Sequence, residues 1–324
     1  MSPDFTDVVE KRFTTRGAPY LMVENVAGET RVKGTTGEEV VVRATKRAHG
    51  ESPDRGKRVL DAIEVAMEQE GDEIRVHQRA YMLERGWLNL FRDRRATVDY
   101  EIEVPRGATV AVRSASGEIR LSAVEGAVEL QSVSGDLFVT DVRGPLRLRT
   151  VSGDAAVDRC AGVLDANSVS GDLSFHSCAW PSGQVRTISG DVQGEVRLDA
   201  KDPIFFNTVS GDIELATPSP FELHFDTTSG DLDAPDGVMV QKLGRRAFVA
   251  RSGEGGAEVH VHTVSGDVTV RRADVSAPDA PSAEPAARPA GRDRKAEALE
   301  VLRALEQGEI DADEAARRLD AARG

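Results

Sequence analysis

Residues 116–171 read SGEIRLSAVEGAVELQSVSGDLFVTDVRGPLRLRTVSGDAAVDRCAGVLDANSVSG. Ser-Gly-Asp, or its Glu variant, returns within this stretch at Ser116, Ser134, Ser152 and Ser170, 18 residues apart each time. Five more copies begin at Ser189, Ser210, Ser229, Ser252 and Ser265, with gaps of 19, 21, 19, 23 and 13 residues. Most copies follow a Thr or Ser two residues earlier. A fixed period of this length means stacked copies of one small unit, which decides the fold before local propensity does.

Each 18-residue unit divides into two nines, marked by Gly117, Gly126, Gly135, Gly144, Gly153, Gly162 and Gly171. Counting from each glycine, apolar residues fall at offsets two, four and seven: Ile119, Leu121 and Val124, then Val128, Leu130 and Val133, then Leu137, Val139 and Val142. Positions two apart share one face of a strand, so each nine predicts a short half-buried strand and a glycine turn. Strands with identical patterns and no long connections stack parallel and in register. The fold class is therefore all-β, a parallel β-solenoid of about 18 residues and two strands per coil, each coil about 4.8 Å above the last. The nine-residue halving favours a flattened, two-sided coil. About nine coils would give a rod on the order of 40 Å long. Only 5% of the residues are aromatic, which suits a thin core of Val, Leu, Ile and Ala.

The repeat stacks Asp136, Asp154, Asp172, Asp191, Asp212, Asp231 and Asp267 along the solenoid, with Glu118 and Glu254 in line. Neighbouring carboxylates about 4.8 Å apart repel by roughly 1 kcal/mol in water. A carboxylate bonded to turn amides regains roughly 1.5 to 3 kcal/mol. A structural turn ladder therefore needs no metal. Nonapeptide β-rolls bind calcium through Gly- and Asp-rich turns, but the intervening turns here, such as Arg143-Gly144-Pro145, offer no Asp after the glycine. A polar groove for a sugar or peptide is the remaining use of this edge. Cys160 and Cys178 fall at offset seven and are expected as neighbouring buried small hydrophobes. No catalytic residue, metal site or cofactor is predicted.

The chain has 324 residues and a net charge of −14, which argues against nucleic acid as the main partner. Residues 1–19 are predicted as an N-terminal segment without a signal peptide, and nothing approaches a membrane-spanning apolar run. With only two cysteines, the expected location is the cytoplasm. Residues 20–270 form the solenoid, with irregular coils over 20–110 and regular ones over 111–270. Strands are predicted at Tyr20–Val26, Thr30–Lys33, Glu39–Thr45, Ala62–Glu68 and Glu73–Arg79, with residues 46–58 a loop. A second loop, 81–95, sets Trp87 and Phe91 beside Arg92, Arg94 and Arg95. Such a segment caps a solenoid edge, or docks on a partner or an anionic membrane surface. Residues 271–294, rich in Ala, Pro, Ser and Asp, are a flexible linker. Over 295–324 a helical hairpin is expected, with Leu299, Leu302 and Leu305 at helical spacing and Gly308 ending the first helix. Two such helices expose more apolar surface than they bury, which implies self-association or a protein partner.

The run Val98-Asp99-Tyr100-Glu101-Ile102-Glu103-Val104-Pro105-Arg106-Gly107, followed by the Ser/Thr-Val-Ser-Gly-Asp units, resembles the bacterial putative-adhesin family of β-strand repeat proteins, largely of unknown function. The resemblance covers roughly residues 20–270. The stretch Leu302-Arg303-Ala304-Leu305-Glu306-Gln307-Gly308-Glu309-Ile310-Asp311-Ala312-Asp313-Glu314-Ala315 is similar to the short C-terminal, SHOCT-like helical module, which implies oligomerisation. Neither resemblance assigns a catalytic residue. The expected function is a non-enzymatic scaffold or interaction protein. The alternative is an exported surface binder of glycans or proteins. His176, His224, His260 and His262 are scattered and form no catalytic grouping.

Overall fold

The structure is a computed structural model that describes residues 4–49, 53–80, 96–199 and 202–273. Strands one repeat apart lie side by side, parallel and in register. Val128–Ser134 pairs with Thr109–Ser116 on one side and Leu146–Ser152 on the other, so that Leu130 faces both Val112 and Leu148. After the turn, Leu137–Thr140 pairs in the same way with Ile119–Ser122 and Ala155–Asp158. Each coil gives one strand to a 13-stranded sheet and one to a 12-stranded sheet. The alternate residues Leu121, Leu130, Leu137 and Leu148 turn inward and are fully buried between the two sheets. The fold is thus all-β, with long parallel sheets in a solenoid-like repeat.

The two bends of a coil differ. At the Ser-Gly-Asp bend the glycine sits against the glycine of the neighbouring coil. A Cβ on Gly171 would lie 2.2 Å from the Gly153 carbonyl oxygen, and its φ of +135° is one that side chains rarely adopt. At the opposite bend Ala123, Asp141, Arg159 and Ser177 take the left-handed conformation, with φ of 59°, 55°, 51° and 49°. The residues that follow them, Val124, Val142, Cys160 and Cys178 among these coils, return to the core. The nine-residue halving therefore holds for the strands and fails at offset seven. Val124 and Val142 are buried, whereas Val133 and Val151 point outward. The looser coils are accommodated by a bulge between Phe175 and Cys178 and by Trp180, which packs edge-on to Phe175 at 4.9 Å.

Chain order and stacking order part company at both ends. Tyr20–Ala27 and Thr30–Thr35 form a regular coil laid directly against Thr109–Ser116 and Ile119–Ser122. The coil outside it comes from later in the chain, Glu73–Ala80 and Ala96–Pro105. At the other end, Ala257–Ser265 inserts between Ile204–Ser210 and Phe221–Ser229. The expectation of coils stacked in chain order is corrected at these two places. The physical reason is the same: an insertion supplies an outer coil and an antiparallel cap, and the first or last repeat occupies the slot inside it. Antiparallel caps are Asp4–Thr14 on Glu39–His49, Ile63–Glu70 on Glu73–Ala80, and Val238–Lys242 on Ala247–Ser252.

Two further expectations change. Residues 1–19 carry the strand Asp4–Thr14, whose side chains are mostly exposed, so no clear alternation marked it. The predicted loop 46–58 is divided between the end of the strand Glu39–His49 and the helix Pro53–Asp61. Gly56 of that helix packs on Phe5, which its missing side chain permits. Residues 274–324, and with them most of the linker and all of the hairpin, lie outside the described residues.

The glycine contact yields a direct test. Gly171→Ala should lower unfolding stability by at least about 3 kcal/mol, the sum of backbone strain and a clash with a backbone oxygen. Gly107→Ala, with nothing within 4 Å of the point where a Cβ would lie, should change it by less than about 1 kcal/mol. Urea unfolding followed by circular dichroism compares the two, and equal midpoints would remove the glycine contact from the account.

Candidate functional site

The strand that enters a Ser-Gly-Asp turn belongs to the 13-stranded sheet, and the strand that leaves it to the 12-stranded one. Three hydrogen bonds tie successive turns. Gly135 N donates to Ser152 O at 3.2 Å, and Leu137 N donates to Asp154 O at 2.8 Å. In addition, Asp136 Oδ1 accepts from the backbone N–H of Asp154 at 3.0 Å. The carboxylate rung repeats at 2.9 Å from Asp172 N to Asp154, and at 2.8 Å from Asp191 N to Asp172. It continues at 2.9 Å from Asp212 N to Asp191. Beyond Asp212 the ladder follows the stack and not the chain: Asp267 N donates to Asp212, and Asp231 N donates to Asp267, each at 2.8 Å.

Glu118 lies in the same line but makes no such rung among the described residues. Its longer side chain turns to Arg120. Glu29 occupies the next turn outward, where its backbone N–H donates to Asp99 Oδ1 at 2.9 Å. Asp99 and Glu29 are thus members that period counting missed, because Asp99 sits in the strand Ala96–Pro105 and Glu29 in a turn before the regular repeats. Glu254 is not a member. Its strand, Ala247–Ser252, runs antiparallel to Phe221–Ser229, so the Ser252 copy of the motif closes a cap instead of a coil.

Below each turn the preceding Ser or Thr is buried. Ser132 Oγ donates to Gly135 O at 3.1 Å, and Ser168 Oγ to Gly171 O at 3.3 Å. Asn25 fills this position in the first coil. Its Nδ2 donates to Gly28 O at 3.0 Å and to Val98 O at 3.1 Å, which fastens the outer coil to the inner one. At the opposite bend Arg159 grips the carboxylate of Asp141 at 2.8 and 3.1 Å. That hydrogen bond holds Asp141 below the usual carboxylate range. Its contribution is present at neutral pH and is lost as pH falls through the lowered value. The two thiols are free and buried, Cys160 donating to Asp158 O and Cys178 to His176 O. Hydrogen bonding of the Cys160 thiol to its neighbour Cys178, which favours the protonated form, and then burial push the Cys160 thiol up.

The outer face of the 13-stranded sheet carries the arrangement with the clearest binding chemistry. The residue before each turn serine points outward: Val133, Val151, Val169, Ile188, Val209 and Val264, with Ile188 53% and Val264 51% exposed. Two residues earlier the side chains also point outward, in the order Gln131, Arg149, Asn167, Arg186, Asn207 and His262. The buried Ser and Thr positions lie between the two rows. The result is a groove across the strands with an aliphatic wall and a wall of donors from Gln131 to Asn207; carboxylates enter the donor row only toward its ends, Glu24 lying 3.6 Å from Arg113 and Asp226 3.6 Å from His262. It has two lobes, of about 590 Å³ at Arg186 and Ile188 and about 540 Å³ at Arg113 and Val133. Arg149 lies 3.6 Å from Glu129, while Arg186 has no ion pair or hydrogen bond among the described residues.

The histidines stand apart from any catalytic geometry. His224 and His260 stack at 5.1 Å between ring centres, with Phe205 on the other side of His260 at 5.2 Å. His260 meets Glu258 at 2.8 Å, and His176 lies 3.5 Å from Glu195. Among the described residues no group of three His, Cys, Asp or Glu side chains is placed to hold a metal ion, and no helix is long and apolar enough to cross a membrane. Trp87, Phe91, Arg92, Arg94 and Arg95, and likewise Leu299, Leu302 and Leu305, lie outside the described residues.

Residues 21–271 match the family described as Toastrack DUF4097. No curated protein matches the chain. Among solved structures, the chain is similar to a putative adhesin from Bacteroides fragilis, 10% identical, covering 82% of this chain and 97% of that one at a TM-score of 0.41. It is also similar to a putative lipid binding protein from Parabacteroides distasonis, 8% identical, covering 82% of this chain and 96% of that one at a TM-score of 0.43. Both likenesses are loose, and nothing about ligands follows from them.

The carboxylate rung can be tested apart from its charge. Asp172→Ala removes the acceptor for Asp191 N and should cost about 1.5 kcal/mol in urea unfolding. Asp172→Asn keeps an acceptor oxygen and relieves repulsion from both neighbours, so it should stay within about 1 kcal/mol of the native chain. If Asn and Ala destabilise equally, the negative charge itself is what the turn requires.

Proposed function

The chain belongs to the Toastrack DUF4097 family, and from that premise we propose that it is a non-enzymatic, adhesin-like binding scaffold whose recognition surface is the groove on the 13-stranded sheet. The observation that carries this reading is the repetition of one chemistry along the groove. Arg149, Asn167, Arg186 and Asn207 follow one another in register, opposite Val151, Val169, Ile188 and Val209. A repeated pair of walls fits an elongated ligand lying along the stack, with acidic or acceptor groups toward the donors and apolar surface toward the aliphatic row. Arg186, without an ion pair among the described residues, is the strongest point of attraction for such a ligand.

The same proposal gives residues 295–324 the role of a hairpin that self-associates or recruits a protein partner, joined through the linker 271–294 to the repeat domain 20–270. We place the protein in the cytoplasm. The two core cysteines, standing as free thiols, support a reducing compartment. The bonding of each Ser-Gly-Asp carboxylate to the backbone N–H of the neighbouring turn supports a structural use for them, without a metal.

Isothermal titration with three polymers tests the groove: polygalacturonate, polyglutamate and neutral dextran. The two acidic polymers should bind at least tenfold more tightly than dextran, and more weakly as salt is raised. Arg149→Glu/Arg186→Glu and, separately, Ile188→Asp should each weaken binding at least tenfold while leaving circular dichroism unchanged. Binding that is indifferent to these substitutions, or no binding by any polymer, would overturn the groove as the recognition surface. Preference between the two acidic polymers identifies the ligand as glycan or polypeptide.

A further inference from the structure

The 13-stranded sheet ends in the strand Val238–Lys242, paired on one side only, with Ala247–Ser252. Sheet edges in soluble proteins are usually blunted by charge, brevity or a covering element. The opposite edge of this sheet, Ile63–Glu70, carries Glu64, Glu68 and Glu70, and the edge of the 12-stranded sheet at the same end, Asp4–Thr14, carries Asp7, Glu10, Lys11 and Arg12 with the helix Pro53–Asp61 packed beside it. Val238–Lys242 has no such protection among the described residues. Met239 is 73% exposed, and Leu243, just past the strand, is 60% exposed.

The backbone and the charges of this edge are self-complementary. Leu243 N donates to Ala247 O at the hairpin turn, and the antiparallel pairing runs from Lys242–Phe248 to Val238–Ser252. In an antiparallel pair the hydrogen-bonded residues alternate, so Val238, Val240 and Lys242 direct their backbone groups away from the paired strand; the Val238 amide is taken by Pro235 O at 3.2 Å, which leaves its carbonyl and both backbone groups of Val240 and Lys242 facing outward. These three are symmetric about Val240. Before the strand lies the exposed Asp236, and after it the exposed Arg245 and Arg246. None of the three, nor Lys242, has an ion pair within the chain among the described residues. An antiparallel copy brings the acidic start of one strand beside the basic end of the other.

We propose that Val238–Lys242 pairs with the same strand of a second copy of this chain, antiparallel and with the two-fold axis at Val240. Val240 faces Val240 of the partner subunit, and Lys242 faces Val238 of the partner subunit, so that Val240 exchanges both its backbone hydrogen bonds across the axis and the Lys242 N–H donates to the carbonyl of Val238 of the partner subunit. The interface is isologous, as closed two-fold dimers require. It needs no contribution from residues 274–324, and so stands or falls separately from the hairpin.

The register makes a positive test available. Met239 and Gln241 face each other across the axis as a pair without hydrogen bonds, the closer spacing of the two in antiparallel sheets and one suited to a disulfide. In the full-length chain, Met239→Cys/Gln241→Cys should give a covalent dimer under mild oxidation, read on non-reducing gels. Gln241→Cys alone, which has no facing thiol, should cross-link at least tenfold more slowly. Adding Arg245→Glu/Arg246→Glu to the double-cysteine chain should slow cross-linking at least tenfold, and further adding Asp236→Lys should restore much of it. Equal cross-linking by the single- and double-cysteine chains would overturn the register. Failure of the double-cysteine chain to cross-link, with its circular dichroism native, would overturn the pairing itself.

Discussion

Successive turns of this stack meet glycine on glycine. The carbonyl of one Ser-Gly-Asp glycine occupies the space a Cβ would need on the next, at 2.3 Å for Gly135 on Gly117 and 2.2 Å for Gly211 on Gly190. That approach lets the turn of each coil lie as close to its neighbour as the strands on either side do. Both sheets are therefore held to one spacing and one register. A side chain there would force the coils apart at the bend while the strands kept pulling them together. The aspartate rung and the buried Ser or Thr are secondary to this contact. They saturate the polar groups of a turn that the glycines have already brought into place.

The consequence for function is a surface whose chemistry repeats in one direction. Every outward position becomes a row across the sheet, and a row of Val and Ile beside a row of Arg and Asn makes a groove without any loop being built for it. Catalysis usually calls for unlike groups converging on one point. A repeat multiplies like groups along a line, which suits recognition of a long ligand through many similar contacts. The row of donors is irregular, alternating Arg149, Asn167, Arg186 and Asn207, and that spacing of charge sets how often an acidic group on a ligand would find a partner.

The repeat made the parallel two-sheet architecture legible, because a period of 18 fixes both strand spacing and register once glycine marks the turns. The carboxylate line was legible for the same reason. The groove was not. Val133 and Val124 look alike when counted from their glycines, yet one follows a buried serine into a turn and the other follows a left-handed residue back into the core. Hydrophobicity alone does not separate these cases. The turn residue on each side does, since Ser-Gly-Asp follows the outward valines and a polar or small left-handed residue precedes the inward ones. Asp99 was hidden by distance: the turn it serves is Glu29, which is 70 residues away in the chain but adjacent in the stack.

That distance separates the two classes of coil energetically. In the middle of the stack, Asp136 reaches Asp154 across 18 residues, whereas Asp212 reaches Asp267 across 55. Loop-closure entropy grows only slowly with length, so the long closures cost about 1 kcal/mol more than the short ones. They also require the intervening caps to be out of the way before the last repeat can dock. The middle coils can form from local contacts, and the ends close afterwards. What this order achieves is protection of the chain's own first and last repeats. Tyr20–Thr35 and Ala257–Arg272 each have a coil on both sides, so neither can fray outward from a free edge. The sheet edges belong instead to other segments, Asp4–Thr14 and Leu232–Asp233 in one sheet, Ile63–Glu70 and Val238–Lys242 in the other, and these differ from end to end. Asp4–Thr14 is charged and has a helix packed beside it. Val238–Lys242 is open, exposes Met239 and Val240, and is matched in charge to its own reverse, and so the difference among the edges lies in these segments and not in the repeat.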